Sequence, residues 1–263
     1  MPNTTSWVRK QKRQKRIAML TAYDYSMARL LDQAGIDIIL VGDSAGMVMQ
    51  GEKTTLNVTL DEMILYTRSV ARGVSQALVV SDMPFLTYQT DPATAIFNAG
   101  RLLQAGAQAV KLEGGEAISE TVRRLVSCGI PVMGHIGLTP QSLHQFGGYK
   151  IQGRDEDQAA ALVEAAQALE TAGVFSLVVE AVPWKLGKMI SESIHVPVIG
   201  IGAGPYCDGQ VLVMHDLLGM TDTLYPHFVK RYAELGLEIK KACRKFVEDV
   251  KKGKFPTLKQ SYD

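Results

Sequence analysis

The sequence predicts an α/β protein whose core is a closed (β/α)8 barrel, the TIM barrel, in a single domain. Its 263 residues fall within the size range of one such barrel. Eight short apolar runs recur along the chain, and they are continuous rather than alternating, which is typical of parallel strands covered on both faces. Helical patterns separate the runs, as in a β/α repeat. We therefore expect a barrel over residues 17–263, preceded by a basic N-terminal arm at residues 1–16.

The predicted strands are short runs rich in Val, Ile and Leu. An open, doubly wound sheet is the alternative arrangement, and it would usually carry a glycine-rich phosphate loop after its first strand. Here the first strand leads into Ala22-Tyr23-Asp24, which contains no glycine, so the sequence favours the barrel. In chain order the predicted strands are 17–21, 37–42, 77–81, 109–112, 131–134, 175–179, 197–201 and 211–214.

The predicted helices show apolar residues at steps of three and four. Thr59 precedes one of them, and Glu62 three residues later completes a capping-box pattern. Several helices end in a glycine just before the next strand, as Ala34-Gly35 and Ala172-Gly173 do. The predicted helices are 25–33, 60–71, 93–104, 117–127, 157–171, 184–193 and a long C-terminal helix within 228–250, or about 227–252 at its limits.

Charge is distributed unevenly along the chain. Residues 1–16 carry six basic residues and no acid, residues 17–226 carry 12 basic and 22 acidic residues, and residues 227–263 carry 10 basic and 5 acidic residues. The total of +1 argues against a nucleic-acid binder, and we interpret the basic ends as solvated arms.

Composition also bears on the compartment. The three cysteines are widely spaced and show no metal-binding pattern, which favours a reduced, cytoplasmic setting. The basic start is followed by too few apolar residues for a secretory signal. No apolar run approaches the roughly 20 residues that cross a membrane, so we expect no membrane contact.

Acidic residues stand at the ends of four predicted strands: Asp43, Asp82, Glu113 and Glu180. In a barrel these ends meet at the face that carries the active site. Converging carboxylates repel one another, so some must be protonated or share a cation. Oxygen ligands without cysteine pairs favour Mg²⁺ or Mn²⁺ over Zn²⁺. We therefore predict a divalent metal site at Asp43, Asp82 and Glu113, with some links through water, although each acid taken singly could be a helix cap.

Lys111 and Glu180 are the candidate groups for charge and proton transfer. Lys111 precedes Glu113 by two residues, so both side chains point to the same side of their strand. We interpret Lys111 as a cation for a substrate carboxylate or enolate. A Schiff-base nucleophile and a structural ion pair are its alternatives. Glu180 follows an apolar strand and is the candidate general base.

Ser44 and His135 are further candidates for substrate binding. Ser44 can donate to a substrate carboxylate or act as a cap, and His135 can donate to a carbonyl or simply be a hydrogen-bonded structural residue. The glycine-rich run at residues 200–204 could receive an anionic group. It lacks the rest of a phosphate-loop motif, and a tight turn is the alternative.

Six motifs follow the predicted strands: Thr21-Ala22-Tyr23-Asp24, Leu40-Val41-Gly42-Asp43-Ser44, Asp82-Met83-Pro84-Phe85, Lys111-Leu112-Glu113-Gly114-Gly115, Gly134-His135-Ile136-Gly137-Leu138-Thr139-Pro140-Gln141 and the segment 200–216. With these motifs the chain resembles the ketopantoate hydroxymethyltransferase family from about residue 17 to residue 220. The motifs occur in the order of that family. One departure is Ala181 after Glu180, where the family often has cysteine.

The resemblance implies transfer of a hydroxymethyl group from 5,10-methylenetetrahydrofolate to 3-methyl-2-oxobutanoate, giving 2-dehydropantoate in pantothenate biosynthesis. It implies one Mg²⁺ per subunit, held by Asp43 and Asp82 with Glu113 completing the site, and an enolate stabilised by that ion. Ser44 and Lys111, together with Asp43, Asp82 and His135, would then contact the keto acid, and Glu180 would accept its proton. The folate follows from the resemblance alone, as does a homo-oligomer such as a decamer.

Three other functions remain open at this stage. Another Mg²⁺-dependent lyase or mutase of 2-oxo acids, of the isocitrate lyase and phosphoenolpyruvate mutase type, would also place acids at strand ends. A Schiff-base aldolase would use Lys111 as its nucleophile. A non-catalytic metabolite-binding barrel would leave the acids and the lysine without a reaction to perform.

Overall fold

A computed structural model describes residues 2–221 and 226–262 of the chain. Eight parallel strands form a closed barrel in the order of the sequence, and β8 pairs with β1. The predicted barrel is therefore confirmed, and the open doubly wound sheet is excluded. The strands are β1 (Ile17–Thr21), β2 (Ile38–Val41), β3 (Leu78–Asp82), β4 (Ala109–Glu113), β5 (Val132–Gly137), β6 (Ser176–Glu180), β7 (Val198–Ile201) and β8 (Gly209–Leu212).

The last strand begins and ends two residues earlier than the sequence pattern predicts. Gly209 pairs with Ile17 where the barrel closes, and a Cβ at Gly209 would lie 2.5 Å from the Ile17 carbonyl oxygen. A residue without a side chain is required at this close approach. The range 211–214 was predicted from its apolar residues and therefore does not include Gly209. Met214 begins a helix instead.

Helices connect most of the strands, as the periodicity predicts. Thr59 and Glu62 form the expected capping box, and Asp24 caps the helix that it precedes. The α-helices of the described residues are α1 (Thr5–Lys10), α2 (Tyr25–Gln33), α3 (Ala45–Val48), α4 (Leu60–Gly73), α5 (Pro92–Gln104), α6 (Ser119–Ser127), α7 (Leu143–Phe146), α8 (Glu156–Ala172), α9 (Trp184–Ser193), α10 (Met214–Leu217) and α11 (Leu235–Lys251).

The barrel interior has an apolar lower layer and a polar upper layer. Alternate residues of each strand point inward, so Leu78 and Val80 of β3 lie in the apolar core and Asp82 continues the same row. Lys111 and Glu113 follow Ala109 in the same way on β4. The carboxyl ends of the strands therefore bring charged side chains together above an apolar core.

The N-terminal segment is not the solvated arm that its charge suggests. Residues 5–10 form α1, and its Val8 is fully buried among the side chains at the lower end of the barrel. Lys12 Nζ lies 2.8 Å from Asp208 Oδ2, and the Arg13 amide donates to the other oxygen of Asp208. The segment therefore contacts the barrel through Val8, Lys12 and Arg13, while the side chains of Arg9, Lys10, Lys15 and Arg16 are exposed as expected.

The chain divides into two units, Met1–Val213 and Met214–Asp263. Within the second unit, α11 begins at Leu235 rather than near residue 228. The Tyr232 and Leu235 amides donate to the carbonyls of Leu217 and Leu218, so the preceding segment turns back instead of continuing a helix. The residues of α11 are exposed or half-buried.

Among residues 2–221 and 226–262, no helix is both long enough and apolar enough to cross a membrane.

Candidate active site

The upper layer of the barrel brings together six of the residues that the sequence singles out. Asp82 and Lys111 are paired in the β3–β4 register, and Glu113 and His135 in the β4–β5 register. These four side chains are buried, as is Asp43 just after β2. Glu180 ends β6, and its side chain keeps 16% of its surface exposed. The candidate site is therefore buried except at the Glu180 carboxylate.

Lys111 lies among carboxylates. Its Nζ is 2.9 Å from Asp82 Oδ1 and 3.7 Å from Glu113 Oε1. Burial alone would lower the pKa of Lys111, but the negative charges of Asp82, Glu113 and Asp43 outweigh it and raise that pKa. The ammonium is therefore charged at neutral pH. The structure thus contains an internal ion pair, and a Schiff base, which needs a neutral amine, is disfavoured.

His135 bridges two acids. Its Nδ1 lies 3.3 Å from Glu113 Oε1, and its Nε2 lies 3.2 Å from Glu180 Oε2. Burial and the Lys111 charge lower the pKa of His135, but the carboxylates of Glu113 and Glu180 prevail and raise it to about 9. Its Nδ1 also lies 3.3 Å from Lys111 Nζ, and its Nε2 makes no directed hydrogen bond to any described residue. His135 therefore lies within ion-pair distance of both carboxylates, one of which is the candidate base.

Asp43 carries the least compensated charge of the cluster. Burial, followed by repulsion from Asp82 and Glu113, raises its pKa well above the usual range, against the smaller opposing effects of Lys111 and Gln141. Burial likewise raises the pKa of Asp82. For Glu113, the hydrogen bond from His135 and the Lys111 charge outweigh burial and lower the pKa. Two ionised carboxylates at Asp43 and Asp82 are therefore unfavourable unless they share a cation.

Gln141 joins the acids, and the sequence reasoning assigned it no role. Its Nε2 donates to Asp43 Oδ2 and to the Met83 carbonyl oxygen, each at 2.9 Å, and its backbone amide donates to Glu113 Oε2. The Tyr88 hydroxyl lies 2.8 Å from Gln141 Oε1. Gln141 ends the motif that begins at Gly134, but neither its residue type nor its spacing indicates contacts to Glu113 and Asp43, which are 28 and 98 positions away.

Ser44 lies beside the acids, but its side chain is hydrogen-bonded to Tyr23 and not to the acids. Its Oγ is 2.8 Å from the Tyr23 hydroxyl, and it makes no side-chain cap to α3, so the alternative of a helix cap is not realised. A Cβ at Gly42 would lie 2.8 Å from Ser44 Oγ and 3.6 Å from Asp82 Oδ2. The glycine before Asp43 therefore leaves room for both side chains.

The glycines of the 200–204 loop are explained by close packing. A Cβ at Gly204 would lie 2.4 Å from the Trp184 Cβ, and a Cβ at Gly187 would lie 2.2 Å from the Ala203 carbonyl oxygen. The loop after β7 thus presses against the start of α9, which agrees with the tight-turn alternative.

The donor set suits a hard divalent cation, although it is not arranged as a closed metal cage. Asp82 Oδ1 is buried without a directed hydrogen bond, despite the nearby Lys111 ammonium. Among the described residues, no three His, Cys, Asp or Glu side chains form a ready coordination group. Both Glu113 oxygens already face donors. Mg²⁺ keeps several waters and takes one or two carboxylates, so Asp43 and Asp82 with water meet its needs.

Comparison with solved structures identifies the fold. The chain aligns with 2,3-dimethylmalate lyase, a PEP mutase/isocitrate lyase superfamily member, with a TM-score of 0.63 at 17% identity over 100% of this chain and 92% of that one. A phosphonopyruvate hydrolase in complex with oxalate and Mg²⁺ gives a TM-score of 0.61 at 14% identity over 98% and 93%. At such identities the likeness concerns the barrel alone.

Comparison of sequences identifies the family. The family model of ketopantoate hydroxymethyltransferase matches residues 2–258. The chain is 53% identical to a 3-methyl-2-oxobutanoate hydroxymethyltransferase of Clostridium botulinum (strain 657 / Type Ba4) over 100% of this chain and 96% of the relative. It is also 53% identical to that of Geobacter metallireducens over 94% and 93%. This chain therefore belongs to the ketopantoate hydroxymethyltransferase family.

Proposed function

We propose that this chain performs the reaction of its family with Mg²⁺ as metal and 5,10-methylenetetrahydrofolate as donor, transferring a hydroxymethyl group to 3-methyl-2-oxobutanoate. The observation that carries the proposal is the Glu180 carboxylate, which is partly exposed above an otherwise buried charged cluster and lies 3.2 Å from His135 Nε2. A base must reach the C–H bond next to a carbonyl, and Glu180 is the acid that the cluster presents to solvent.

Asp43 and Asp82 would hold the metal directly, and Glu113 would complete the site through water. The raised pKa values of these two buried aspartates support this assignment, because a bound cation would favour their ionised forms. A bound Mg²⁺ would act as a Lewis acid toward the keto acid and stabilise the negative charge that develops when its proton is removed, by several kcal/mol.

The other side chains bind and orient the keto acid. Lys111 supplies a fixed positive charge beside Asp82, and Ser44 offers a hydroxyl to the substrate carboxylate. Glu180 takes the proton from C3. The methylene carbon of the donor is bound to two nitrogens, and both C–N bonds break: one is replaced by a C–C bond to the C3 carbanion and the other by a C–O bond to one water. The proton taken from C3 and one proton of that water go to the two nitrogens. Tetrahydrofolate and 2-dehydropantoate leave, and a positioned base of this kind contributes roughly 10²–10⁴ in rate.

Hydrogen–deuterium exchange at C3 of 3-methyl-2-oxobutanoate tests the metal, base and donor assignments separately. Wild type is expected to exchange C3 in D₂O with Mg²⁺ and to form product only when the folate is added. Glu180→Gln should retain binding of Mg²⁺ and keto acid, measured by calorimetry, and lose exchange. Normal exchange by Glu180→Gln would remove Glu180 as the base, and product formation without the folate would remove the donor assignment.

The same assay separates the remaining alternative function. A lyase or mutase of the isocitrate lyase and phosphoenolpyruvate mutase type would act on a 2-oxo acid without a folate. The family match over residues 2–258 favours hydroxymethyl transfer.

The assembly and location are proposed on the family resemblance. We expect a homo-oligomer, namely a decamer, acting in the cytoplasm on small-molecule substrates. Light scattering coupled to size-exclusion chromatography measures the assembly, and a monomer at micromolar concentration would contradict it.

A further inference from the structure

A glycine-bounded segment lies between α7 and α8, at residues 147–153, and it carries Tyr149. Gly147, Gly148 and Gly153 have φ of 64°, 116° and 70°, all in the left-handed region that favours glycine. The segment therefore follows a path that side-chain-bearing residues at those positions would resist.

Both ends of this segment are anchored, and one anchor adjoins the proposed base. The Gly148 amide donates to the Leu143 carbonyl at 3.1 Å, which ties the first end to α7. The Gln152 amide donates to the carbonyl of Ala181, the residue after Glu180, at 2.9 Å. A Cβ at Gly153 would lie 2.3 Å from Leu186 Cδ2, so the second end packs closely on α9.

Tyr149 reaches from the β5 side of the barrel to the β2 side. Its hydroxyl lies 3.6 Å from the sulfur of Met47, which belongs to α3 after β2. Strands β3 and β4 stand between β2 and β5, so this contact crosses the mouth of the barrel. Burial and then the charges of Glu180, Asp43 and Glu113 raise the pKa of Tyr149. The phenol therefore stands within electrostatic reach of the carboxylates on both sides of the site.

We propose that Tyr149, resting on Met47, is a positioning residue that closes the barrel mouth over the bound keto acid and limits the access of bulk water to Glu180 and C3. This inference rests on the proposed function. Tyr149 is 54% exposed, so one side of the residue faces solvent while the other adjoins the site. The closure is partial, which agrees with a reaction that consumes one water.

Closure of the barrel mouth affects which of two reactions the C3 carbanion undergoes. The carbanion formed by Glu180 either takes a proton back, which regenerates the keto acid, or attacks the donor carbon. In D₂O, bulk solvent that reaches Glu180 replaces the removed proton with a deuteron before it is given back to C3. The number of C3 exchanges per product formed therefore measures how well the mouth is closed.

The first experiment measures this partition in D₂O with Mg²⁺, keto acid and methylenetetrahydrofolate. Tyr149→Ala is expected to raise exchange per product about tenfold, and Met47→Ala in the same direction, because each removes one side of the closure. Tyr149→Phe keeps the ring and should stay within about twofold of wild type. Tyr25→Ala is the matched control, since Tyr25 lies on α2 and is 46% exposed, and it should leave the partition unchanged.

A second measurement does not depend on turnover. Amide hydrogen exchange followed by mass spectrometry should show slower exchange over residues 147–153 when 3-methyl-2-oxobutanoate and Mg²⁺ are added to wild type. This result is decisive should Tyr149→Ala fail to fold by circular dichroism. Unchanged amide exchange in wild type, or an unchanged partition in folded Tyr149→Ala, would overturn the closure. Absence of product from wild type would instead overturn the proposed function.

Discussion

At the scale of single residues, the buried acids depend on neighbours that neutralise or hydrogen-bond them. Gln141 donates to Asp43 and to Glu113, and His135 lies within ion-pair distance of Glu113 and Glu180. An unpaired polar atom in a low-dielectric site costs far more than the same atom in water. The residues that support the site are therefore as necessary to its geometry as the residues that act on substrate.

Replacing Gln141 by alanine should destabilise the protein. The substitution leaves Asp43 Oδ2 and the Met83 carbonyl without their buried donor, at a cost of about 1–3 kcal/mol for a lost partner. Urea unfolding followed by circular dichroism measures the change. Gln33→Ala on α2 is the exposed control and should shift the free energy of unfolding by less than about 0.5 kcal/mol. Equal effects from the two variants would contradict this role for Gln141.

Asp32 makes the stability depend on pH. Its carboxylate accepts backbone amides from Ala77, Gln76 and Ser75, and these bonds outweigh burial and lower its pKa. A depressed folded-state pKa stabilises the fold above the unfolded value of about 3.9, and this stabilisation is lost as the pH falls through the folded-state pKa. Asp32→Asn should cost about 1–3 kcal/mol at pH 7.

The same substitution has a pH signature. The difference between wild type and Asp32→Asn in free energy of unfolding should narrow as the pH falls below about 4. Urea unfolding at several pH values measures it, with the exposed Asp157→Asn as control. A difference that stays constant down to pH 3 would count against a charged Asp32 in the fold.

At the scale of elements, two short features complete the barrel. Helix α1 inserts Val8 into the apolar lower layer, and Gly209 lets β8 approach β1. Neither feature resembles a core element in the sequence, because one lies in a basic segment and the other is a glycine in a polar stretch. Their importance comes from the point in the barrel where they are placed.

Val8→Ala should destabilise the protein by about 1–3 kcal/mol, since it removes two buried methyl groups from the lower layer. The midpoint of urea unfolding should fall with little change in slope. Val247→Ala on α11, where the side chain is 47% exposed, is the matched control and should have a small effect. If Val8→Ala unfolds like wild type, α1 does not contribute to the core.

Two glycine-to-alanine substitutions should act in opposite directions. Gly209→Ala places a Cβ 2.5 Å from the Ile17 carbonyl oxygen and should cost about 2–3 kcal/mol. Gly100→Ala, inside α5, meets nothing within 4 Å and should stabilise the protein by about 0.5–1 kcal/mol. Thermal unfolding of both variants compares them directly. Destabilisation of similar size in both would contradict the closing role of Gly209.

At the scale of the whole molecule, part of the acidic charge in the middle of the sequence lies at one end of the barrel. Residues 17–226 carry 22 acids, and four of them meet in the upper layer of the barrel. Lys111 and His135 lie among these acids, and burial raises the pKa values of Asp43 and Asp82. A cation bound there would stabilise the folded protein by mass action.

Adding Mg²⁺ should raise the melting temperature of wild type. At a concentration about 100 times the Kd, the linkage is worth about 2.7 kcal/mol. Differential scanning fluorimetry with an Mg²⁺ titration measures it without any substrate. Asp43→Asn should lose most of the shift, and Asp61→Asn, whose carboxylate is exposed, should keep it. A full shift in Asp43→Asn would place the ion elsewhere.

The barrel, the place where its acids meet and the family could all be predicted from the sequence. Parallel strands in a covered sheet need continuous apolar runs, and the eight runs predicted the strands to within a few residues. The period of two placed Lys111 and Glu113 on one side of β4. Acids at strand ends predicted a shared site because the carboxyl ends of barrel strands converge. The family resemblance is confirmed by full-length relatives.

Residues whose partners are distant in sequence could be identified from the folded structure alone. Gln141, Tyr88 and Tyr149 come from connecting segments, and loop residues follow no period that reports where their side chains point. His135 lies between two acids because β5 pairs with both β4 and β6, and Val8 reaches the core at the lower end of the closed barrel. Periodicity reflects burial along one element, whereas these contacts arise between elements that the fold brings together.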